Sequence, residues 1–157
     1  MKTLILYATK YGAAEEIAHR IAKRIPDSIS HNLKNAGIPP LTKFDCVVVG
    51  GSLYAGMLRK EAKTFISENE AALAMKKFGL FQSGMTPNEA EYEAYFKANF
   101  SENVLKCAIV KMFLGGIFDP AKANGFERFI YKIAAKQKDY ANTISNEKIE
   151  EFVRALK

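Results

Sequence analysis

The residues best suited to chemistry lie near the N-terminus, in the run Thr9-Lys10-Tyr11-Gly12-Ala13-Ala14. The apolar residues Leu4-Ile5-Leu6 precede it and read as a buried strand. After it, Ala14, Ile17, Ala18, Ile21, Ala22 and Ile25 recur at the spacing of one helix face. The run is therefore a turn between the carboxyl end of a strand and the N-terminus of a helix. Unpaired backbone N–H groups and the positive end of the helix dipole make such a turn a phosphate site. It has neither the GxxxxGK[ST] spacing of a triphosphate loop nor the GxGxxG of a dinucleotide fold. It offers one aliphatic hydroxyl, Thr9, and one glycine, Gly12. An ordinary strand-to-helix turn without a ligand is the competing reading.

The elements that would position this turn follow in order. The first helix is expected to end at Ile25-Pro26, because a residue before proline leaves the helical region. Ser28 to Leu33 fits an edge strand, and Phe44 to Gly51, with its Val47-Val48-Val49 core, a strand covered on both faces. A glycine-bounded loop, Gly51 to Met57, carries Tyr54 and precedes a helix with Ala62, Phe65 and Ile66 inward. Phe78 to Gln82 is a fourth strand, Ala108 to Leu114 a fifth, and the loops after them are Ser83 to Pro87 and Gly115 to Pro120. Two helices close the chain. Phe126, Phe129, Ile130 and Ile133 stripe the first, and Ile149, Phe152, Val153 and Leu156 the second, both expected to face the core.

Strands alternating with helices predict a single α/β domain over residues 1–157, a five-stranded parallel sheet in the order 2-1-3-4-5 with helices on both faces. Ligands in such sheets sit beyond the carboxyl ends of the strands, where the four loops converge. Cys46 and Cys107 lack CxxC spacing and read as core thiols of a reducing cytoplasm, while His19 and His31 have no metal-ligand spacing, so no metal is expected. No signal peptide or membrane span is expected.

The chain carries 23 basic and 17 acidic residues, a net +6. From Lys106 to Lys138 there are seven basic residues against Asp119 and Glu127. That block suggests an anionic partner or, as the plainer reading, a solvated helix face. A membrane surface or a carboxylate-bearing small molecule is the expected partner, not nucleic acid. Weak, salt-sensitive contact with anionic membranes is expected through 126–138, by Arg128, Lys132 and Lys136, with the apolar stripe committed to the core. The expected location is the cytoplasm, with peripheral contact at the inner face of the membrane.

The series YATKYGAAEEIA, VVVGGSLYAGMLRKEAKTFI and CAIVKMFLGGIFDPAKANGFERFIYK resembles the flavodoxin-domain family of menaquinone-dependent protoporphyrinogen oxidases. The resemblance runs through nearly the whole chain and is weakest from Met85 to Asn103. It implies a flavodoxin-like fold with FMN as cofactor. Thr9, Lys10, Tyr11, Gly12, Ala13 and Ala14 would take the phosphate. Ser52, Leu53, Tyr54, Ala55 and Gly56, with Ser83 and Gly84, would flank the isoalloxazine ring, Tyr54 stacking on it and Gly56 letting its preceding peptide flip. Ala13 and Ala14 stand where the family has polar residues, and each missing hydrogen bond to a charged group weakens binding by about 1.5–3 kcal/mol.

The family's chemistry implies electrons passing from an organic, protoporphyrinogen-like donor to a quinone. Lys10, Arg59 and Lys60 beside the ring would favour a reduced anionic flavin and two-electron chemistry. No side chain stands out as a catalytic acid or base, so Tyr54, Arg59 and Lys111 would only position the substrate. An electron carrier serving a protein partner and a non-redox module that has lost FMN remain as alternatives.

Overall fold

Strand β1, Thr3–Ala8, is buried along its whole length, and its position in the sheet explains why. It pairs in parallel with β2, Ser28–Asn32, on one side and with β3, Cys46–Tyr54, on the other. In the computed structural model, which describes residues 1–134 and 139–157, β3 continues to β5, Lys77–Ser83, and β5 to β6, Val110–Phe113. The parallel strands thus run β2-β1-β3-β5-β6, the expected order once the two-residue strand β4, Met57–Leu58, is set aside. Alternation along β1 sends Leu4 and Leu6 to one face and Ile5 and Tyr7 to the other, seeding two cores.

Helices α2 (Lys60–Ala74), α3 (Tyr92–Asn99) and α4 (Glu102–Cys107) cover the first face, packing Phe65, Ile66, Phe96 and Val104 on Val47, Phe78 and Leu80. Helices α1 (Ala13–Ala22) and α6 (Asn146–Leu156) cover the second, with Ile17, Ile21, Ile149 and Phe152 on Val48 and Phe81. Four α6 side chains, Ile149, Phe152, Val153 and Leu156, are at most 3 % exposed. At about 1.5–3 kcal/mol each, they tie that helix to the sheet by roughly 6–12 kcal/mol before entropy.

Four expectations need correction. Helix α1 ends at Ala22, not Ile25, because the chain tightens: the N–H groups of Arg24 and Ile25 reach back three residues to Ile21 and Ala22. Strand β3 runs on through Ser52, Leu53 and Tyr54, which are strand and not loop. A two-residue turn, Ala55 (φ 48) and Gly56 (φ 76), folds it back onto β4, the left-handed pair that a tight hairpin's twist requires. The loop after β6 contains a short strand, β7 (Ile117–Phe118), paired with β8 (Ala141–Asn142).

The largest departure is helix α5, Gly125–Ala134. Against the expectation of a core-facing stripe, Phe126, Phe129 and Ile133 are 65 %, 57 % and 63 % exposed. Both faces of the sheet are already filled by the other helices, so α5 lies beyond the strand ends with its apolar face outward. Lys136, assigned to the basic face, and Lys138, counted in the basic block, lie outside the described residues. No helix among the described residues is long and apolar enough to cross a membrane.

Candidate cofactor site

The carboxyl ends of β1, β3, β5 and β6 bring the four expected loops together. Gly12 is the N-cap of α1 at φ 100, a backbone conformation that side-chain-bearing residues rarely adopt, and no side chain caps the helix. The Gly12 N–H donates to Thr9 Oγ1 at 2.9 Å, so the Thr9 hydroxyl closes the turn. That hydroxyl lies 3.5 Å from Ser52 Oγ, which joins the first loop to the end of β3. Ala13, nearly buried, lines the cleft, whereas the Ala14 side chain is fully buried in the core and lines no part of it.

Lys10 and Tyr11 turn sideways. The Lys10 ammonium and the Tyr11 hydroxyl both donate to the Glu127 carboxylate of α5, which is fully buried. Burial pushes the Glu127 carboxyl up, but the hydrogen bonds from Lys10 and Tyr11 outweigh it and hold the group below the ordinary carboxylate value. Lys10 Nζ also lies 4.7 Å from the centre of the Tyr54 ring and 5.1 Å from that of Tyr11, cation–π distances. Its charge is therefore shared with a buried carboxylate. This corrects the expectation of bare positive charge beside the ring.

A cavity of about 330 Å³ opens between Tyr54, Met85, Tyr95, Phe113, Ile130 and Tyr131. It runs into a tighter hollow of about 30 Å³ bounded by Lys10, Ala13, Ser52, Arg59, Ser83 and Tyr131. Leu53, Tyr54, Gly84, Met85 and Tyr131 line both, making one cleft that narrows toward the Thr9–Gly12 turn. Ala55 and Gly56 line the wide end. The cleft thus draws on all three groups of expected site residues. Lys111 is a correction: it lines a groove with Tyr92, Phe96 and Lys97 at the outer edge of the sheet. Lys60 is exposed at the start of α2.

The hairpin carrying Tyr54 is held from below. Asn99, 6 % exposed, accepts from the Leu58 N–H at 2.7 Å and donates to the carbonyls of Gly56 at 2.9 Å and Tyr95 at 2.8 Å. Asn99 therefore fixes the peptide after Gly56, while the expected flip concerns the one before it. On the far wall, Tyr95 and Thr86 donate to Glu91 at 2.7 and 2.9 Å, and these bonds hold its carboxyl below the ordinary value. The loops after β5 and β6 are pinned together. Gly84 N–H donates to the Gly115 carbonyl at 3.1 Å and Thr143 N–H to that of Gly116 at 2.8 Å. A Cβ on Gly115 would collide with the Thr143 carbonyl.

FMN, the group implied by the resemblance, can be tested against these atoms. Ser83 Oγ, in a residue 1 % exposed, has no hydrogen-bond partner and borders the narrow end of the cleft. Arg59 Nε, on the same wall, is buried without a hydrogen bond, 3.8 Å from Glu61 Oε2. Buried polar atoms without partners cost free energy that a polar ligand recovers. With an uncapped helix N-terminus and an aromatic-walled cavity beside them, the residues present fit a phosphate-bearing flat ligand. Sequence reasoning missed Glu127, Tyr95, Asn99 and Tyr131. Their roles depend on crossovers that return to the cleft from distant parts of the chain, and no local spacing marks them. Among the described residues no group of three or more His, Cys, Asp or Glu gathers as metal ligands.

Known proteins resemble this chain in sequence and in fold. Over 148 residues the chain is 23 % identical to protoporphyrinogen IX dehydrogenase [quinone] of Escherichia coli K12, covering 87 % of this chain and 80 % of that protein. Among solved structures, oxidised flavodoxin 2 from Bacillus cereus superposes with a TM-score of 0.59 at 23 % identity, over 99 % of this chain and 97 % of the other. A Lactobacillus acidophilus flavoprotein in complex with FMN gives a TM-score of 0.51 at 16 % identity, over 73 % and 90 %. The flavodoxin domain family model matches residues 4–145, and the chain therefore belongs to the flavodoxin domain family.

Proposed function

We propose that the cleft binds FMN and that the protein is a flavin-dependent oxidoreductase passing two electrons from an organic donor to a quinone. The observation that carries the first part is the cleft itself, with the uncapped N-terminus of α1 at one end and the partnerless Ser83 hydroxyl on its wall. Family membership and the FMN complex among the structural neighbours support the same cofactor. The second part is supported by the likeness to the quinone-dependent E. coli enzyme.

In this reading Thr9, Lys10, Tyr11, Gly12, Ala13 and Ala14 hold the phosphate, chiefly through backbone N–H groups. Ser52 to Gly56, Ser83 and Gly84 bound the ring, with Tyr54 offering a face to it. FMN, when bound, supplies the two-electron chemistry; the chain supplies binding, orientation and exclusion of water. Tyr95 would position the donor at the wide end of the cleft, while Arg59 faces the narrow end.

Recombinant protein should purify yellow and release FMN on denaturation. Anaerobically reduced protein should then reduce a menaquinone analogue. A colourless protein with no affinity for added FMN refutes the cofactor. The carrier reading is favoured by one observation, the coverage of the Lys10 charge by Glu127. Two well-separated one-electron steps in a potentiometric titration, with no quinone reduction, would establish it instead.

A further inference from the structure

Helix α5 presents a surface that the cleft does not use. Phe126, Phe129 and Ile133 recur along one side and are each more than half exposed. Ile130, at the edge of this row, and Tyr131, turned away from it, line the cavity, and Tyr131 packs on Phe118 with ring centres 4.8 Å apart. A row of large apolar side chains held out in water on one helix marks an interaction site.

The charges around the row select the partner. Arg128 and Lys132, spaced i, i+4, are exposed beside it, and Lys122 is exposed just before the helix. The one acidic residue of the helix is withdrawn, and the half-buried Asp119 before it is engaged locally. Glu127 is buried against Lys10 and Tyr11, and the Asp119 carboxylate accepts the Ala121 N–H at 3.0 Å in the preceding turn. Among the described residues of α5, every outward charge is therefore positive. Apolar side chains flanked by basic ones, with no exposed acid among them, match an anionic lipid interface, where the rings enter the acyl boundary and the cations meet phosphates.

We infer that α5 is a peripheral docking element for anionic membranes, inserting Phe126, Phe129 and Ile133 at the headgroup level. This differs from the charge-only contact expected of a helix whose stripe is packed away. The contact has an apolar part that salt does not screen. Because Ile130 and Tyr131 on the same helix line the cleft, docking would bring the cleft to the bilayer surface, within reach of a lipid-soluble reactant. The inference does not depend on what the cleft binds.

The chain contains no tryptophan, so Phe129→Trp supplies a single reporter. Flotation with vesicles of phosphatidylcholine alone, or with a third phosphatidylglycerol, measures binding at low and high salt. The expected result is preference for the anionic vesicles, a fraction surviving high salt, and a blue shift of the introduced indole's emission, quenched by brominated lipid. Phe126→Ser/Phe129→Ser/Ile133→Ser should lower binding at least tenfold, and Arg128→Gln/Lys132→Gln should remove the lipid preference. Circular dichroism and cofactor content check that both variants are folded. Absence of flotation overturns the inference. So does binding that the serine variant retains, or concentration-dependent self-association that the serine variant abolishes, because the row would then be covered by a second copy. A protein that floats but never binds FMN sinks only the cofactor reading.

Discussion

The Glu127 contact offers the sharpest test of how α5 is held. Unlike α6, this helix brings few fully buried apolar side chains, so the pair with Lys10 and Tyr11 should be its main anchor. Removing one partner of a fully buried ion pair costs about 3–5 kcal/mol, whereas an exposed pair is worth about 0.2–1 kcal/mol. Glu127 is 0 % exposed and the Lys10 side chain 35 %, which places this pair between those limits. The expected coupling in a Glu127→Gln/Lys10→Met double-mutant cycle is about 2 kcal/mol, a Tm change of about 4–8 °C for a domain of this size. Hydrogen exchange should show α5 amides losing protection before the sheet does. The pH dependence has a definite sign. Glu127 is held below its ordinary value of 4.5, so the contribution is complete above that value and fades as pH falls through the lowered one. Glu127→Gln should remove that acid step. A coupling under about 0.5 kcal/mol, with α5 amides as protected as in the parent, would refute the assignment of the anchor.

Gly12→Val should abolish FMN binding, because a β-branched residue cannot hold φ 100 at the helix N-cap; retained affinity by fluorescence titration would contradict it. Ser83→Ala should weaken FMN about tenfold while leaving the denaturation midpoint of the apoprotein unchanged or higher, since the hydroxyl has no partner within the protein; unchanged affinity removes Ser83 from the site. Asn99→Ala strips hydrogen bonds from Leu58, Gly56 and Tyr95 and should destabilise the domain by about 2–4 kcal/mol, read by urea denaturation, and expose the Tyr54 hairpin to proteolysis. Burial pushes the Cys46 thiol up to about 11, so at pH 8 a thiol reagent should label the half-buried Cys107 and reach Cys46 only on unfolding; equal labelling rates would contradict this.

Strand positions and the turn between β1 and α1 are legible in the sequence because local pattern governs them. A continuous run such as Val47-Val48-Val49 can be satisfied only between two helical layers, and Gly12 before an apolar helical face can hardly be anything but a strand-to-helix turn. The hairpin at Tyr54 is less legible. Ala55-Gly56 is a weak turn signal in a stretch whose strand extends only because β4 and Asn99 hold it. The stripe of α5 identifies a helix correctly and its surroundings wrongly. Periodicity reports that a helix has an apolar side, but not what lies against that side.

The sequence by itself determined the order of strands and helices, the parallel sheet and the loops at its carboxyl edge, since these follow from hydrophobic period, glycine and proline. Only the tertiary structure decided which side chains meet there. Glu127 reaches Lys10 across 117 positions of sequence, Asn99 reaches Gly56 across 43, and α5 faces outward because five other helices had already filled the sheet. Such contacts are set by crossover geometry and competition for a finite buried surface, and those belong to the whole chain and to no one segment of it.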